Sequence, residues 1–242
     1  MNEIGISTNC VMDLPLEDAL DTLEPLTHLV EIQCDANHSL FRHASVLDKF
    51  DLRYTIHAPT ADGNIAEPFE PIRRASLHVL RETAEIADLA GAEKLVIHPG
   101  FCLDPGDKGA SFSALHKSIQ ELGDLQEEFS VRLVMENLGS LDCCHFQTPE
   151  LVRELRAAGL GLTLDVGHAN LTGTLDAFLR EKPDHMHLHD NKGSSDEHAA
   201  CGTGSVDFAK IQTAAGDATL ILEVLRLDDV KPSLDYLASL GY

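Results

Sequence analysis

The sequence predicts a closed (β/α)8 barrel in which residues 1–242 form one domain and the functional site lies at the carboxyl-terminal mouth of the strands. Eight short β-rich runs alternate with eight segments whose apolar residues recur at helical spacing. This alternation is typical of a parallel sheet connected by right-handed crossovers, and eight units in 242 residues match the barrel in number and length. An open doubly wound sheet is the alternative, but no glycine-rich dinucleotide fingerprint follows the first run.

The elements follow one another in a regular order along the chain. The β-rich runs are residues 3–8, 28–34, 54–58, 94–98, 131–137, 161–166, 185–189 and 219–225. The helical segments are residues 16–23, 40–47, 72–89, 112–129, 149–158, 174–179, 208–214 and 230–240. Gly91 and Gly159 follow helical patterns as C-terminal caps do, and Thr148 before Pro149 is typical of a helix start.

The composition narrows the classes of partner. Acidic residues outnumber basic ones by 40 to 18, which gives a formal net charge of −22 and argues against nucleic acid and anionic membranes as partners. Adaptation to a salty cytoplasm would produce the same composition and screen the repulsion. The six cysteines include no C-x-x-C pair, and no signal peptide or membrane span is visible, so we expect reduced thiols and a cytoplasmic protein.

Imidazole and carboxylate side chains fall where the β-rich runs end. In a barrel these ends meet at one mouth, where so many ionisable groups would repel one another unless cations neutralised them. Nitrogen and oxygen donors without thiolate favour one to three Zn²⁺ or Mn²⁺ ions over Ca²⁺. A histidine-rich solvated loop is the simpler interpretation of the segment 185–204 taken alone. The nine candidate ligands are His57, His98, Glu136, Asp165, His168, His187, Asp196, His198 and Glu223.

A second group of residues lies beside these ligands in the sequence. Glu31 on the second run and His189 on the seventh are candidates for substrate contacts or for support of the ligands, and a barrel-filling role is an alternative for Glu31. Lys192 and the turn containing Gly202 and Gly204 could hold a terminal phosphate, the glycines through their backbone N–H groups. The sequence thus predicts substrate-binding roles for these five residues.

The motifs that carry these residues resemble a known superfamily over nearly the whole chain. They are IHAP at 56–59, VIHPG at 96–100, MEN at 135–137, LDVGH at 164–168, HLHDNK at 187–192, DEH followed by GTG at 196–204, and LEV at 222–224. The chain is similar to the xylose isomerase-like barrels, which include sugar-phosphate isomerases and epimerases and the endonuclease IV type of abasic-site nuclease.

The resemblance implies two ligand arrangements. In the nuclease branch all nine positions hold three zinc ions, with Glu136 bridging two of them. In the isomerase and epimerase branch one divalent ion is held by the positions of Glu136, Asp165, His187 and Glu223, and the two glutamates also move protons at the carbons flanking the substrate carbonyl. All of these residues are present in this sequence.

Departures from the nuclease pattern favour the isomerase branch. The HAP triplet is followed by residues 60–63, TADG, without a bulky wedge, and the loops after the fourth and seventh runs offer only Lys108 and Lys192 as cations. We therefore expect a divalent-metal-dependent isomerase or epimerase of a small sugar or sugar phosphate, with Glu136 and Glu223 as acid and base. The alternatives are an endonuclease IV-like zinc phosphodiesterase acting at abasic sites and a non-catalytic metal-binding or structural barrel. An oligomer is possible.

Overall fold

Eight parallel strands close into a barrel in which neighbours in the sequence are neighbours in space. The computed structural model describes residues 3–61, 63–139 and 141–242. Within them each strand pairs with the next, and the last pairs with the first. The strands are β1 (Ile4–Ser7), β2 (Leu29–Gln33), β3 (Arg53–His57), β4 (Lys94–Ile97), β5 (Arg132–Glu136), β6 (Gly161–Asp165), β7 (His185–Leu188) and β8 (Thr219–Leu222). The predicted fold class is confirmed.

Helices connect the strands on the outside of the barrel. They are α1 (Leu16–Leu23), α2 (Leu40–His43), α3 (Glu70–Leu89), α4 (Lys108–Gln126), α5 (Val152–Ala157), α6 (Val166–Thr172), α7 (Leu175–Leu179), α8 (Phe208–Ala214) and α9 (Val230–Ser239). The apolar faces of the helices pack against strand residues such as Ile32, Leu95 and Leu164, which are fully buried. Among the described residues no helix is both long and apolar enough to cross a membrane.

Three helical predictions differ from the structure. The predicted helix 40–47 is α2 followed by a 3₁₀ helix at Ala44–Lys49, and the predicted helix 149–158 begins as a 3₁₀ turn at Pro149–Leu151. Thr148 occupies the N-cap position there, but its side chain makes no capping hydrogen bond. Helix α6 was not predicted. It starts directly at the end of β6, because the carboxylate of Asp165 accepts the backbone N–H of His168 at 2.7 Å.

The register places the polar strand ends at one level. His57 pairs with Gln33 on β2 and with Val96 on β4, while Asp165 pairs with His187. Parallel pairing without a large offset therefore brings the carboxyl ends of β2 to β7 to the same mouth of the barrel. This arrangement positions the candidate site.

Candidate metal centre

The structure gathers all nine predicted ligands at the mouth of the barrel. Seven of them line, together with residues of the surrounding loops, a cavity of about 390 Å³. One is Glu223, which follows β8, and the other six are His57, His98, Glu136, His168, Asp196 and His198. Asp165 and His187 are fully buried directly behind this surface. Side chains that are far apart in the sequence thus meet in one space.

The deepest group surrounds one imidazole nitrogen. His187 Nδ1 lies 3.3 Å from Glu223 Oε2, 3.7 Å from Glu136 Oε1 and 3.8 Å from Asp165 Oδ2. Within the described residues this buried nitrogen has no hydrogen-bond partner. Burying an unpaired imidazole nitrogen among three carboxylates is costly. One imidazole and three carboxylates are a donor set that a divalent cation satisfies.

Glu136 connects this group to a second one. Its Oε2 lies 3.1 Å from His57 Nε2 and 3.2 Å from His98 Nε2, while its Oε1 lies 3.2 Å from His168 Nδ1. The two carboxylate oxygens therefore face different imidazoles. A carboxylate in this position is able to bridge two cations.

A third group lies nearer to the solvent. Asp196 Oδ2 is 3.0 Å from His168 Nε2 and 3.3 Å from His198 Nε2. Asp196 Oδ1 is buried and has no hydrogen-bond partner among the described residues. Two imidazoles and one carboxylate at these distances fit three of the four positions of a zinc site.

Charge within the cluster is compensated between the acids and the imidazoles. Burial alone would lower the pKa values of His57 and His198, but each imidazole contacts a carboxylate, which raises both pKa values to about 9. Burial likewise opposes ionisation of Glu136, yet the charges of His98 and His187 hold its pKa well below the usual range. Imidazoles therefore carry the positive charge that bound cations would otherwise supply, and the donor set fits divalent metals.

Two predicted substrate contacts, Glu31 and His189, instead lie behind the ligands. Glu31 is fully buried, with Oε1 2.8 Å from His187 Nε2 and Oε2 2.9 Å from His185 Nε2. His189 is also fully buried, and its Nε2 lies 3.0 Å from both oxygens of Asp165. The sequence shows that these side chains share a face with His187 but does not show how deep they lie. Both contact predicted ligands, and neither is among the described residues that line the cavity.

The three residues predicted to hold a phosphate, Lys192, Gly202 and Gly204, are not among the described residues that line the cavity. Lys192 is exposed on the loop after β7. The backbone N–H groups of Gly202 and Gly204 donate to Asp190 Oδ2 at 3.0 and 2.8 Å. The two amides thus already have an acceptor within the protein, because Asp190 lies buried inside the turn.

Asp190 is a residue whose role the sequence analysis missed. Besides the two glycines, it accepts the N–H groups of Asn191 and Val206 through Oδ1, at 2.9 and 3.1 Å. It thereby folds the loop that carries Asp196 and His198. The sequence carries no signal for this role, because Asp190 is 12 and 14 residues away from the two glycines. It likewise carries none for cavity-lining residues such as Asn9, Phe101 and Cys144.

The fold and the site together define a class: (β/α)8 barrels with a cluster of imidazole and carboxylate ligands at the mouth. The chain belongs to the xylose isomerase-like TIM barrel family, whose model matches residues 37–240. The family predicted from the motifs is confirmed.

Relatives of known sequence carry different descriptions. An uncharacterised protein of Methanocaldococcus jannaschii is 36% identical over 214 residues, which cover 85% of this chain and 84% of that protein. A probable endonuclease 4 of Mycobacterium leprae is 27% identical over 187 residues, covering 71% of each chain.

Solved structures show the same fold. A D-tagatose 3-epimerase-like protein superposes with a TM-score of 0.87 and 24% identity, covering 98% of this chain and 96% of its own. A protein from Thermus thermophilus, solved after soaking with zinc chloride, superposes with a TM-score of 0.78 and 24% identity, covering 99% of this chain and 97% of its own. The structural neighbours thus include sugar epimerases.

Proposed function

We propose that this protein is a divalent-metal-dependent isomerase or epimerase of a small sugar or sugar phosphate, with Zn²⁺ or Mn²⁺ as the cation. The observation that carries the proposal is the deepest ligand group. Glu136 and Glu223 both lie within 4 Å of His187 Nδ1, and both line the cavity. Two glutamates would thus be available to a substrate bound in this cavity.

The residues of this site have two roles, which are binding of the cation and proton transfer. Glu136, Asp165, His187 and Glu223 would hold one divalent cation, which supplies Lewis acidity to the substrate carbonyl when bound. One glutamate takes the proton from the carbon next to this carbonyl, and the other returns a proton to the neighbouring carbon or to the opposite face. Asn9 and Gln33, which line the cavity, offer amide groups for the substrate hydroxyls.

Size and charge favour a small substrate over a nucleic acid. The cavity of about 390 Å³ suits a small carbohydrate. Among the described residues, the loops that leave the carboxyl ends of the strands contain two basic residues, Lys192 and Arg226, and Lys108 begins α4, whereas binding to DNA requires several cations along the phosphate backbone. A duplex would therefore meet an acidic surface.

A zinc phosphodiesterase acting at abasic sites is the second candidate. It is favoured by the imidazoles of His57 and His98 beside Glu136 and by the Asp196 group, because the single-ion mechanism requires neither the two imidazoles nor the Asp196 group. The similarity to a probable endonuclease 4 supports the same alternative. Clustered cations would activate water and stabilise the leaving oxygen.

Deuterium exchange tests the proposal directly. We expect the protein, purified without chelator, to exchange the hydrogen next to the carbonyl of at least one ketose in D₂O, followed by NMR over a sugar panel. Glu223→Gln is expected to slow the exchange by about 10²- to 10⁴-fold while part of the bound metal is retained. Asp228→Asn, an exposed change on the same loop, is the control and should leave the rate unchanged.

The outcomes separate the two candidates. Full activity of Glu223→Gln would show that this glutamate does not move the proton. Absence of exchange for every sugar, together with about three zinc ions per chain by elemental analysis and cleavage of an abasic duplex, would establish the phosphodiesterase instead.

A further inference from the structure

A second, more enclosed cavity lies beside the metal cavity. Its volume is about 50 Å³. The two cavities have four lining residues in common, namely Thr60, His98, Phe101 and Leu138. They are therefore neighbours on the side of the mouth formed by the loops after β3, β4 and β5. A group attached to a substrate in the metal cavity would enter this second space.

The walls of the small cavity are apolar. Five of its lining residues are the apolar Ile65, Val79, Leu80, Phe101 and Leu138. Aliphatic and aromatic walls of this kind stabilise an alkyl group by removing it from water.

Two polar side chains on these walls, Ser76 and Thr60, already have hydrogen-bond partners, and His98 Nε2 lies 3.2 Å from Glu136 Oε2. The Ser76 hydroxyl accepts the Asn64 N–H at 2.8 Å and donates to the Ile72 carbonyl at 3.0 Å. The Thr60 hydroxyl donates to Asp35 Oδ2 at 2.9 Å. A substrate hydroxyl in this cavity would therefore exchange its hydrogen bonds with water for an apolar surrounding, which is costly.

Three exposed apolar side chains lie on the loops of the same side, next to exposed acidic residues such as Asp104 and Asp142. Phe69, Leu103 and Leu141 lie on the loops after β3, β4 and β5, and their exposed fractions are 63%, 78% and 61%. Among the described residues, neither cavity is lined by a lysine or an arginine. Among these described wall residues, a phosphate would meet the His98 imidazole, which already lies 3.2 Å from Glu136 Oε2, and no lysine or arginine.

We propose that the small cavity binds the terminal methyl group of a neutral deoxy sugar. The inference depends on the proposed isomerase or epimerase function and narrows its substrate class to sugars that carry a methyl group in place of the terminal hydroxymethyl or phosphate. The size agrees, since about 10–15 Å³ of such volume accommodates one water-sized group and the 50 Å³ of this cavity accommodates a methyl group.

The test compares matched substrates on the unaltered, metal-loaded protein. For each configuration, a 6-deoxyhexulose, the corresponding hexulose and its 6-phosphate are compared by kcat/KM for deuterium exchange. We expect the deoxy sugar to exceed the hexulose by about tenfold to a hundredfold, which is the range in which a hydrophobic pocket discriminates against an added hydroxyl. The phosphate is expected to be poorer still.

Two variants test whether the small cavity causes the preference for the deoxy sugar. Leu80→Phe fills the cavity and should reduce the ratio between deoxy sugar and hexulose to about one. Leu77 lies on the same helix, α3, but does not line the cavity. Leu77→Phe should therefore leave this ratio unchanged. Thermal unfolding of both variants verifies that they fold, and the comparison on the unaltered protein does not depend on them.

The inference and the function fail in different ways. Exchange that is faster with the hexulose or the 6-phosphate would overturn the methyl site while the isomerase function stands. Absence of exchange for every sugar would refute both. A deoxy preference that survives Leu80→Phe would place the methyl group elsewhere and overturn this site.

Discussion

Replacing Glu31 with Gln tests whether a buried charge beneath the metal centre controls the affinity for the metal. Glu31 Oε1 lies 2.8 Å from His187 Nε2, and the Thr55 hydroxyl donates to its Oε2 at 2.8 Å. A carboxylate at Nε2 keeps the proton on that nitrogen, so the lone pair of Nδ1 faces the other ligands. Glutamine retains the shape and an acceptor but removes the negative charge.

The expected magnitude follows from these contacts. Glu31 Oε1 lies in charge contact with His187 Nε2 at 2.8 Å, and groups that contact ligating histidines in this way contribute about 10–100-fold to metal affinity. Because glutamine keeps the shape and loses only the charge, we expect about a tenfold weaker metal affinity, which corresponds to about 1.4 kcal/mol. Thr55→Val keeps the charge and removes a hydrogen bond to Oε2, whereas His187 faces Oε1, so its effect on the affinity is expected to be several-fold smaller.

The assay is competition with a chromophoric chelator for Zn²⁺, combined with the visible spectrum of the Co²⁺-loaded protein. We expect Glu31→Gln to weaken zinc binding and to change the cobalt spectrum, since the imidazole ligand is altered. Circular dichroism verifies the fold of both variants. A folded Glu31→Gln variant with unchanged affinity would refute the reasoning, and an equal loss in Thr55→Val would assign the effect to packing rather than to charge.

Three further predictions concern the ligand loop, one close contact and the response to acid. Asp196→Asn should lower the metal content by about one ion per chain in zinc-saturated protein, and an unchanged elemental analysis would contradict this. Gly167→Ala would place a Cβ 2.1 Å from His189 Cε1 and should cost about 1–3 kcal/mol in urea unfolding; Gly109→Ala, on α4 with open space around it, should not destabilise. Burial lowers the pKa of His38 despite a backbone contact that opposes this, so the unfolded chain binds the proton more readily. The free energy of unfolding should therefore fall as the pH drops below about 6.5, and His38→Gln should flatten this slope in urea titrations.

The fold and the ligand positions could be predicted because both depend on short-range patterns. Alternating strands and helices specify the barrel, and a polar residue at the end of an apolar strand must lie at the mouth. His57, Glu136 and Asp165 are each the last residue of a strand, so their convergence follows from parallel pairing with little offset. Glu223 follows β8 directly, for the same reason.

Depth within the barrel and the partners of loop amides could not be predicted. Period-two alternation shows that Glu31 faces the interior, but only the pairing of β2 with its neighbours places it beneath His187 rather than beside the cavity. The amides of Gly202 and Gly204 were free in the sequence-based interpretation because their acceptor, Asp190, lies 12 and 14 residues away. Such contacts depend on the loop conformation and not on a repeating pattern.

The three ligand groups differ in burial, and this difference affects how the number of metal ions bound per chain is interpreted. His187 is fully buried and the side chain of Glu136 is 2% exposed, whereas the side chains of His98 and Asp196 are 29% and 20% exposed. Cations in the outer groups are therefore closer to solvent and to competing chelators than a cation beside His187. Protein purified with about one ion per chain would contain it at the deepest group, whichever reaction the protein catalyses. Since the phosphodiesterase needs the outer groups and the isomerase does not, turnover measured before and after saturation with zinc distinguishes the two functions more sharply than the metal content at purification.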